Sequence, residues 1–175
     1  HRKTCTASFS YNTRLAVFLY LARFCRGLTY LMKVATVQFQ HVAGDITANL
    51  AVVKNYVLKA ATKNVELVIF PECCLSGYWH LRNLTREQLG KIGQNVPAGF
   101  ACTQVTELAR TYNITIGVGL VEQTTAGTLY NAFFVVNADG TWANHRKLHC
   151  FVSQHMDSGD SFTVLDTPSG VRLGI

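Results

Sequence analysis

Two charged residues each lie just beyond a segment that is predicted to be a β-strand. Glu72 follows the segment at residues 65–70 and Pro71, and Lys147 follows the segment at residues 141–145. A carboxylate at the carboxyl end of a buried strand lies where α/β proteins place their sites, and it can act there as a general base. An ammonium group in such a position can stabilise an oxyanion on a carbonyl substrate. The alternatives are a carboxylate that caps a turn and a lysine in a solvated basic loop.

Cysteine thiols stand close to both charged residues in the sequence. Cys73 and Cys74 adjoin Glu72, and Cys150 follows Lys147 closely, where a nearby ammonium group would favour the thiolate. No two of the six cysteines form a Cys-x-x-Cys pair, so their spacing does not predict a zinc site. We interpret them as reduced thiols of a cytoplasmic protein. We expect these three to fill space or support the site rather than to attack a substrate.

The positive charge of the chain is concentrated at its start. The formal net charge is +6, but residues 1–31 hold five of the sixteen basic residues and no acidic residue. Residues 32–175 therefore carry eleven basic and ten acidic residues and are nearly neutral. This balance does not support a basic groove for nucleic acid. The length of 175 residues and the 49% share of hydrophobic residues instead predict one folded domain.

Residues 1–31 differ in character from the rest and allow three interpretations. They could be a targeting peptide, since they are basic and acid-free, although their apolar run is too short to span a membrane. They could form a surface helix with one apolar face made of Leu15, Phe18, Leu19 and Ala22. They could be upstream sequence translated in frame, with Met32 as the natural start. We favour the third interpretation, so we expect a domain at residues 32–175 and an extension outside the fold at residues 1–31.

The remaining pattern predicts strands that alternate with helices in the first half and follow one another in the second. The 3–4 spacing of apolar residues predicts a helix that Asp45 or Thr47 caps, and Thr85 and Gln88 have the spacing of a capping box. The predicted strands are residues 33–39, 65–70, 114–122, 129–137, 141–145, 161–165 and 171–175, and the predicted helices are residues 47–63, 85–92 and 100–112. This order favours an α/β fold with a largely buried sheet.

Five segments, taken in order, resemble one family. FPECCLSGY at residues 70–78 is similar to the glutamate segment of the nitrilase superfamily of carbon–nitrogen hydrolases, and HRKLHCF at residues 145–151 is similar to its lysine segment. KVATVQF, with the helix after it, resembles the family's first strand and helix. ITIGVGLVE and LYNAFFVVNADGT resemble the strands between the two motifs. Each motif alone is weak, but the ordered set covers the chain from about Met32 to Ile175.

The resemblance implies a four-layer αββα sandwich of the nitrilase type, which would be incomplete in this chain. It also implies a Glu–Lys–Cys triad whose cysteine attacks a nitrile or amide carbon and forms a covalent thioimidate or thioester. Glu72 would be the general base, and Lys147 would stabilise the tetrahedral intermediate. The resemblance implies no metal and no organic cofactor, and it implies a homo-oligomer for the full-length form.

The family's cysteine segment has no counterpart in the printed sequence. By the family's pattern, the nucleophile and the second half of the fold would come after Ile175. Relatives often carry another glutamate soon after the lysine, and we expect Gln154 to take that place and to orient Lys147. Tyr78 and Trp79 either line a substrate pocket or pack their loop onto the sheet. We expect Asn131 to serve the loop architecture rather than the chemistry.

These features predict a hydrolase that acts on a small-molecule nitrile, linear amide or N-carbamoyl compound. Three alternatives stay open: an inactive truncated product, a binding or regulatory module built on half of the fold, and an amide-forming acyltransferase of the same superfamily. We expect a small-molecule substrate, no nucleic-acid partner, no association with a membrane and a cytoplasmic location.

Overall fold

The computed structural model describes residues 13–23 and 29–175, with side chains from residue 32 onward. The predicted elements from residue 33 onward are all present, with ends that differ by a few residues. A 3₁₀ turn at Trp79–Asn83 precedes the second helix. The elements are β1 (Thr13–Arg23), β2 (Thr29–Phe39), α1 (Ile46–Ala61), β3 (Leu67–Ile69), α2 (Arg86–Ile92), α3 (Phe100–Tyr112), β4 (Thr115–Gln123), β5 (Leu129–Val136), β6 (Trp142–Arg146), β7 (Val164–Asp166) and β8 (Arg172–Gly174).

Six strands form one mixed sheet in the order β1-β2-β3-β4-β5-β6. β2, β3 and β4 are parallel, because helical segments cross over between them. β4, β5 and β6 are joined by short turns and pair antiparallel. Two antiparallel steps make β6 run in the same direction as β3 and β4. The carboxyl ends of β3 and β6 therefore lie at the same end of the sheet, although two strands separate them.

The two faces of this sheet are covered by different layers. On one face, α1 and α3 pack onto β2 to β5, and the contact is apolar on both sides. On the other face, the antiparallel hairpin β7–β8 lies across the sheet, with Leu173 packed against Met32, Val34 and Leu67 and also against Val135 and Ala143. The described elements thus stack as helices, sheet and second sheet, which are successive layers of an αββα sandwich.

β1 is the edge strand of the sheet and falls within the N-terminal segment. Its backbone pairs antiparallel with β2 along the whole strand, from Thr13 opposite Phe39 to Arg23 opposite Thr29. The interpretation of this segment as a surface helix is therefore wrong for Thr13–Arg23. The division of the chain at Met32 stays a prediction.

Helix ends follow the signals that the sequence carries. The Asp45 carboxylate accepts a 2.9 Å hydrogen bond from the backbone N–H of Ala48 and caps α1. Thr85 and Gln88 form the predicted capping box at the start of α2. Asn113 ends α3 in the left-handed conformation, with a φ of 51°. Within the described residues, no helix has the length and apolarity that crossing a membrane requires.

Asn49 is a fully buried polar side chain that joins α1 to two loops. Its Oδ1 accepts a 2.8 Å hydrogen bond from the N–H of Val42, and its Nδ2 donates to the carbonyl oxygens of Val42 and Leu75 at 2.8 and 2.9 Å. Leu75 lies in the loop that also carries Glu72. Since buried polar groups cost free energy when they lose their partners, this one amide fixes the loop against the helix.

We expect Asn49→Ala to lower the free energy of unfolding by about 2–4 kcal/mol, because three hydrogen bonds to backbone groups of Val42 and Leu75 are lost. Asn55→Ala is the matched control, since Asn55 lies on the same helix and is exposed. Urea denaturation of the two variants gives the comparison. Equal stabilities would show that Asn49 does not hold the loop.

Candidate active site

Glu72 lies in a tight loop at the carboxyl end of β3. Pro71 ends the strand, and the chain then turns back on itself through hydrogen bonds from the N–H of Cys74 to the Pro71 carbonyl (3.2 Å) and from the N–H of Gly77 to the Cys73 carbonyl (2.7 Å). Cys73 has a φ of 48°, a left-handed conformation that a residue other than glycine rarely adopts. This turn directs the Glu72 side chain away from the core, so that 42% of it is exposed.

Gly119 on β4 allows the Glu72 loop to lie against the sheet. A Cβ atom at this position would come within 2.3 Å of the Cys73 nitrogen and within 2.7 Å of the Pro71 carbonyl oxygen, both of which are backbone atoms. The carbonyl of Gly119 also accepts a 3.0 Å hydrogen bond from the N–H of Leu75. Glycine is therefore required at residue 119 for the loop to keep its position.

Lys147 directly follows β6, as predicted, and its backbone is held on both sides. Its N–H donates to the Asn131 carbonyl at 2.8 Å, and its carbonyl accepts from the N–H of Gly159 at 2.9 Å. A Cβ atom on Gly159 would come within 2.2 Å of the Arg146 carbonyl oxygen, so the irregular segment at residues 149–161 depends on this glycine to pack beside Lys147. The same segment buries Val152 and Met156 in an apolar cluster with Cys73.

The structure brings Glu72 and Lys147 into direct contact. Lys147 Nζ donates to Glu72 Oε1 at 2.7 Å, although the two residues are far apart in the sequence. Burial lowers the pKa of Lys147, but the hydrogen bond to Glu72 and the charge of that carboxylate outweigh burial, so the pKa of Lys147 is raised. Lys147 thus stays fully cationic at neutral pH, with 33% of its side chain exposed.

Asn131 is the third side chain of this arrangement, and the sequence did not predict its contact with Glu72. It lies on β5 and is almost completely buried. Its Nδ2 donates to Glu72 Oε1 at 2.6 Å, and its Oδ1 accepts from the Cys73 thiol at 3.3 Å. A polar residue within an otherwise apolar strand was the signal in the sequence.

A second ion pair lies next to Lys147 and uses different partners. Arg146 donates two hydrogen bonds to Glu122, at 2.7 and 2.9 Å, and its guanidinium group stacks on the Tyr130 ring at 4.1 Å. Glu122 is 5% exposed and also accepts a 2.9 Å hydrogen bond from Asn144. Glu122 is thus paired with Arg146, whereas the carboxylate that contacts Lys147 is that of Glu72.

Aromatic side chains lie near the Glu72–Lys147 pair. The pKa of Tyr78 is raised, because burial and the nearby charge of Glu72 outweigh the lowering effect of the charge of Lys147. The Tyr78 ring packs edge-on against Trp79 at 5.0 Å, and Trp79 is 65% exposed. Phe151, an aromatic residue of the HRKLHCF segment that the sequence analysis did not single out, has its ring centre 5.3 Å from Lys147 Nζ. It is 75% exposed.

Gln154 does not reach Lys147. It is exposed and lies in a shallow surface groove that Arg82, Thr85 and His155 also line. In the part of the chain that the structure describes, no hydrogen bond joins it to Lys147, so its expected orienting contact is not present. Among the same residues, no group of three or more His, Cys, Asp or Glu side chains is placed to hold a metal ion.

The cysteines beside Glu72 have buried thiols. Burial, the charge of Glu72 and the neighbouring Cys74 raise the pKa of Cys73 far above its usual range. Burial also raises the pKa of Cys74 to about 12, and its thiol donates to the Gly119 carbonyl at 3.5 Å. Cys150 is partly exposed. Cys73 and Cys74 are therefore poorly suited to form the thiolate that nucleophilic attack requires.

The sequence from residue 33 onward matches one family. The family model of carbon–nitrogen hydrolases covers residues 33–175. This chain belongs to the carbon–nitrogen hydrolase family. The match includes both the Glu72 loop and the Lys147 segment, so the family resemblance that the motifs predicted is confirmed.

Curated members of the family are similar over most of this chain. Omega-amidase NIT2 of Homo sapiens is 29% identical over 156 residues, which cover 82% of this chain and 54% of the human protein. A nitrilase of Pyrococcus abyssi is 30% identical over 139 residues, which cover 78% of this chain and 52% of the relative. The chain spans about half the length of the curated relatives that it matches.

Solved structures of amidases have the same fold. An amidase from Nesterenkonia sp. superposes with a TM-score of 0.64 at 18% identity, over 82% of this chain and 54% of that one. An N-terminal amidase superposes with a TM-score of 0.65 at 19% identity, over 77% of this chain and 32% of that one. The predicted α/β fold of the nitrilase type is therefore confirmed.

We expect Gly119→Ala to lower the free energy of unfolding by about 1–3 kcal/mol, because the added methyl group overlaps the backbone of the Glu72 loop. Gly174→Ala is the control, since a Cβ atom on Gly174 meets no atom within 4 Å. Thermal and urea unfolding give the two stabilities. A stable Gly119→Ala chain would contradict the close approach of loop and strand.

We expect thiol reagents to distinguish the cysteines of the folded chain. Iodoacetamide at neutral pH should modify Cys150, which is partly exposed, and should leave Cys73, Cys74 and Cys102 protected by burial. Peptide mass spectrometry of folded and denatured samples measures each site separately. Rapid modification of Cys73 or Cys74 in the folded chain would contradict this prediction and would favour a nucleophile beside Glu72.

Proposed function

We propose that the protein hydrolyses a non-peptide carbon–nitrogen bond in a small-molecule amide, nitrile or N-carbamoyl compound. In this proposal, Glu72 is the general base and Lys147 the oxyanion stabiliser of a Glu–Lys–Cys triad. The observation that carries it is the 2.7 Å contact between Glu72 Oε1 and Lys147 Nζ, which joins a carboxylate and a cation at one end of the sheet. A base and an oxyanion stabiliser must stand side by side to serve one tetrahedral carbon.

The reaction on an amide follows from these two groups and one thiol. Glu72 takes the thiol proton, the thiolate attacks the amide carbon, and the ammonium group of Lys147 stabilises the negative charge that develops on the carbonyl oxygen. Glu72 then gives its proton to the leaving amine, and a thioester is left. Glu72 next takes a proton from water, which attacks the thioester. Collapse of this second intermediate releases the acid, and the proton returns to the thiol sulfur.

We propose that the thiol belongs to a cysteine that comes after β8 in the chain. The position of β8 supports this: the N–H of Ile175 donates to the Thr163 carbonyl at 3.0 Å, and Thr163 Oγ1 lies 3.2 Å from His145 Nδ1. His145 is close to Lys147 in the sequence and at the same end of β6. A continuation of β8 would thus emerge near the Lys147 side of the site.

The substrate class is argued from the relatives and from the loops. The relatives are called omega-amidase and nitrilase, so a small amide or nitrile is the substrate that we propose for this protein. Tyr78, Trp79 and Phe151 would line the substrate pocket beside Lys147. The cytoplasmic location and the homo-oligomer stay predictions.

We expect Glu72→Gln to lower turnover about 10²–10⁴-fold and Lys147→Ala about 10²–10³-fold. Both variants are assayed on amide and nitrile substrates, in the longest natural reading frame that contains this sequence. Glu87→Gln and Lys91→Ala are the matched controls, since these residues form an exposed 2.9 Å ion pair on α2. Full activity of either site variant would contradict the assigned roles. Product analysis with an added amine acceptor distinguishes hydrolysis from acyl transfer.

A further inference from the structure

The two hydrogen bonds that the Glu72 carboxylate accepts within the described part of the chain both go to one oxygen. Asn131 Nδ2 lies 2.6 Å and Lys147 Nζ 2.7 Å from Oε1. A carboxylate that is held by one oxygen keeps the lone pairs of the other oxygen available as a base. The position of Oε2, and thus the direction from which it takes a proton, depends on what holds Oε1.

Asn131 is built to hold this oxygen. It is 3% exposed and lies on β5, between the strand that supports the Glu72 loop and the strand that directly precedes Lys147. Its backbone carbonyl accepts the N–H of Lys147 at 2.8 Å. One residue therefore contacts Glu72 through its side chain and Lys147 through its main chain, so it fixes the distance between the two loops.

The Cys73 thiol determines which way the Asn131 amide points. An asparagine amide can turn over and exchange its oxygen with its nitrogen, which would direct a carbonyl oxygen at the Glu72 carboxylate. The thiol prevents this, because burial and the charge of Glu72 raise the pKa of Cys73, and a protonated thiol donates to Asn131 Oδ1 at 3.3 Å. With its oxygen engaged by the thiol, the amide directs its N–H groups at Glu72.

We propose that Asn131 is a positioning residue, which holds Glu72 by Oε1 against Lys147 and leaves Oε2 as the oxygen that exchanges the proton, and that the Cys73 thiol orients its amide. The proposal rests on the role of Glu72 as base that is proposed above. It gives the buried thiol beside Glu72 an orienting role that requires no attack on a substrate.

The test is the titration of Lys147 in the 175-residue chain. Reductive methylation with ¹³C-formaldehyde keeps lysines charged and gives each an NMR signal, and Lys147→Arg assigns the signal of Lys147. We expect Asn131→Ala to lower the pKa of Lys147 by about 0.5–1 pH unit, since a loosened Glu72 carboxylate favours the ammonium form less. In the Glu72→Gln background, Asn131→Ala should produce no further shift.

Two further sets of variants separate positioning from a general loss of structure. Asn137→Ala removes a similarly buried asparagine, whose partners are Thr115, Thr141 and Asp166, and it should leave the titration of Lys147 unchanged. Cys73→Ala should lower the pKa of Lys147 in the same direction as Asn131→Ala, whereas Cys73→Ser keeps a donor and should retain the wild-type value.

The proposal is overturned if a folded Asn131→Ala chain titrates like wild type, or if the shift is as large without Glu72. If Asn131→Ala does not fold, the two Cys73 variants decide. A fall in Cys73→Ala that Cys73→Ser reverses supports the proposal, and equal values in the two variants overturn it. Because the titration needs no substrate, its outcome is independent of whether the protein hydrolyses amides.

Discussion

The contact between Glu72 Oε1 and Lys147 Nζ imposes the main constraint on this structure. The two groups follow strands that are separated by β4 and β5, so they meet only if all four strands pair in the observed order. The direction of the strands matters equally, because β6 must run with β3 for both carboxyl ends to lie together. The crossover before β4 and the two hairpins after it satisfy that condition.

The energy of the contact does not explain why it is held so firmly. Both side chains are about one-third or more exposed, and ion pairs with that much access to water contribute roughly 0–1 kcal/mol to stability. The buried groups around the pair contribute more: Asn49, Asn131 and the Glu122–Arg146 pair all lose hydrogen bonds if the loops move. The fold therefore stabilises the positions of the loops, and the loops in turn position the charged side chains of Glu72 and Lys147. This is the arrangement that preorganised catalytic groups require.

The positions of the strands and the importance of Glu72 and Lys147 could be predicted from the sequence for the same physical reason. Apolar runs identify buried strands, and polar residues just past a strand end identify a site, so Glu72 and Lys147 were accessible to this reasoning. The contact of Asn131 with Glu72 was not predicted, because Asn131 lies within a strand, whereas its partner lies in a loop that is distant in the sequence. The need for Gly119 and Gly159 arises from backbone atoms of other segments, which no local pattern encodes. Gln154 was placed by analogy with relatives, and the segment at residues 149–161 turns it elsewhere.

Within the described residues, Oε1 of Glu72 accepts two hydrogen bonds and Oε2 accepts none, and this difference affects the proposed chemistry. In the mechanism proposed above, Asn131 keeps its hydrogen bond to Oε1 when Lys147 turns toward a substrate oxygen, so the carboxylate stays in place. Lys147 would then divide its donors between Glu72 and the developing oxyanion, which an ammonium group with three N–H bonds can do. The aromatic rings of Tyr78 and Phe151 lie near Lys147, so a substrate bound in the proposed way would displace water there, and a lower local polarity would strengthen the attraction between the ammonium group and the oxyanion. In this proposed mechanism, the neutral side-chain amide of Asn131 keeps the base in place while the cation moves.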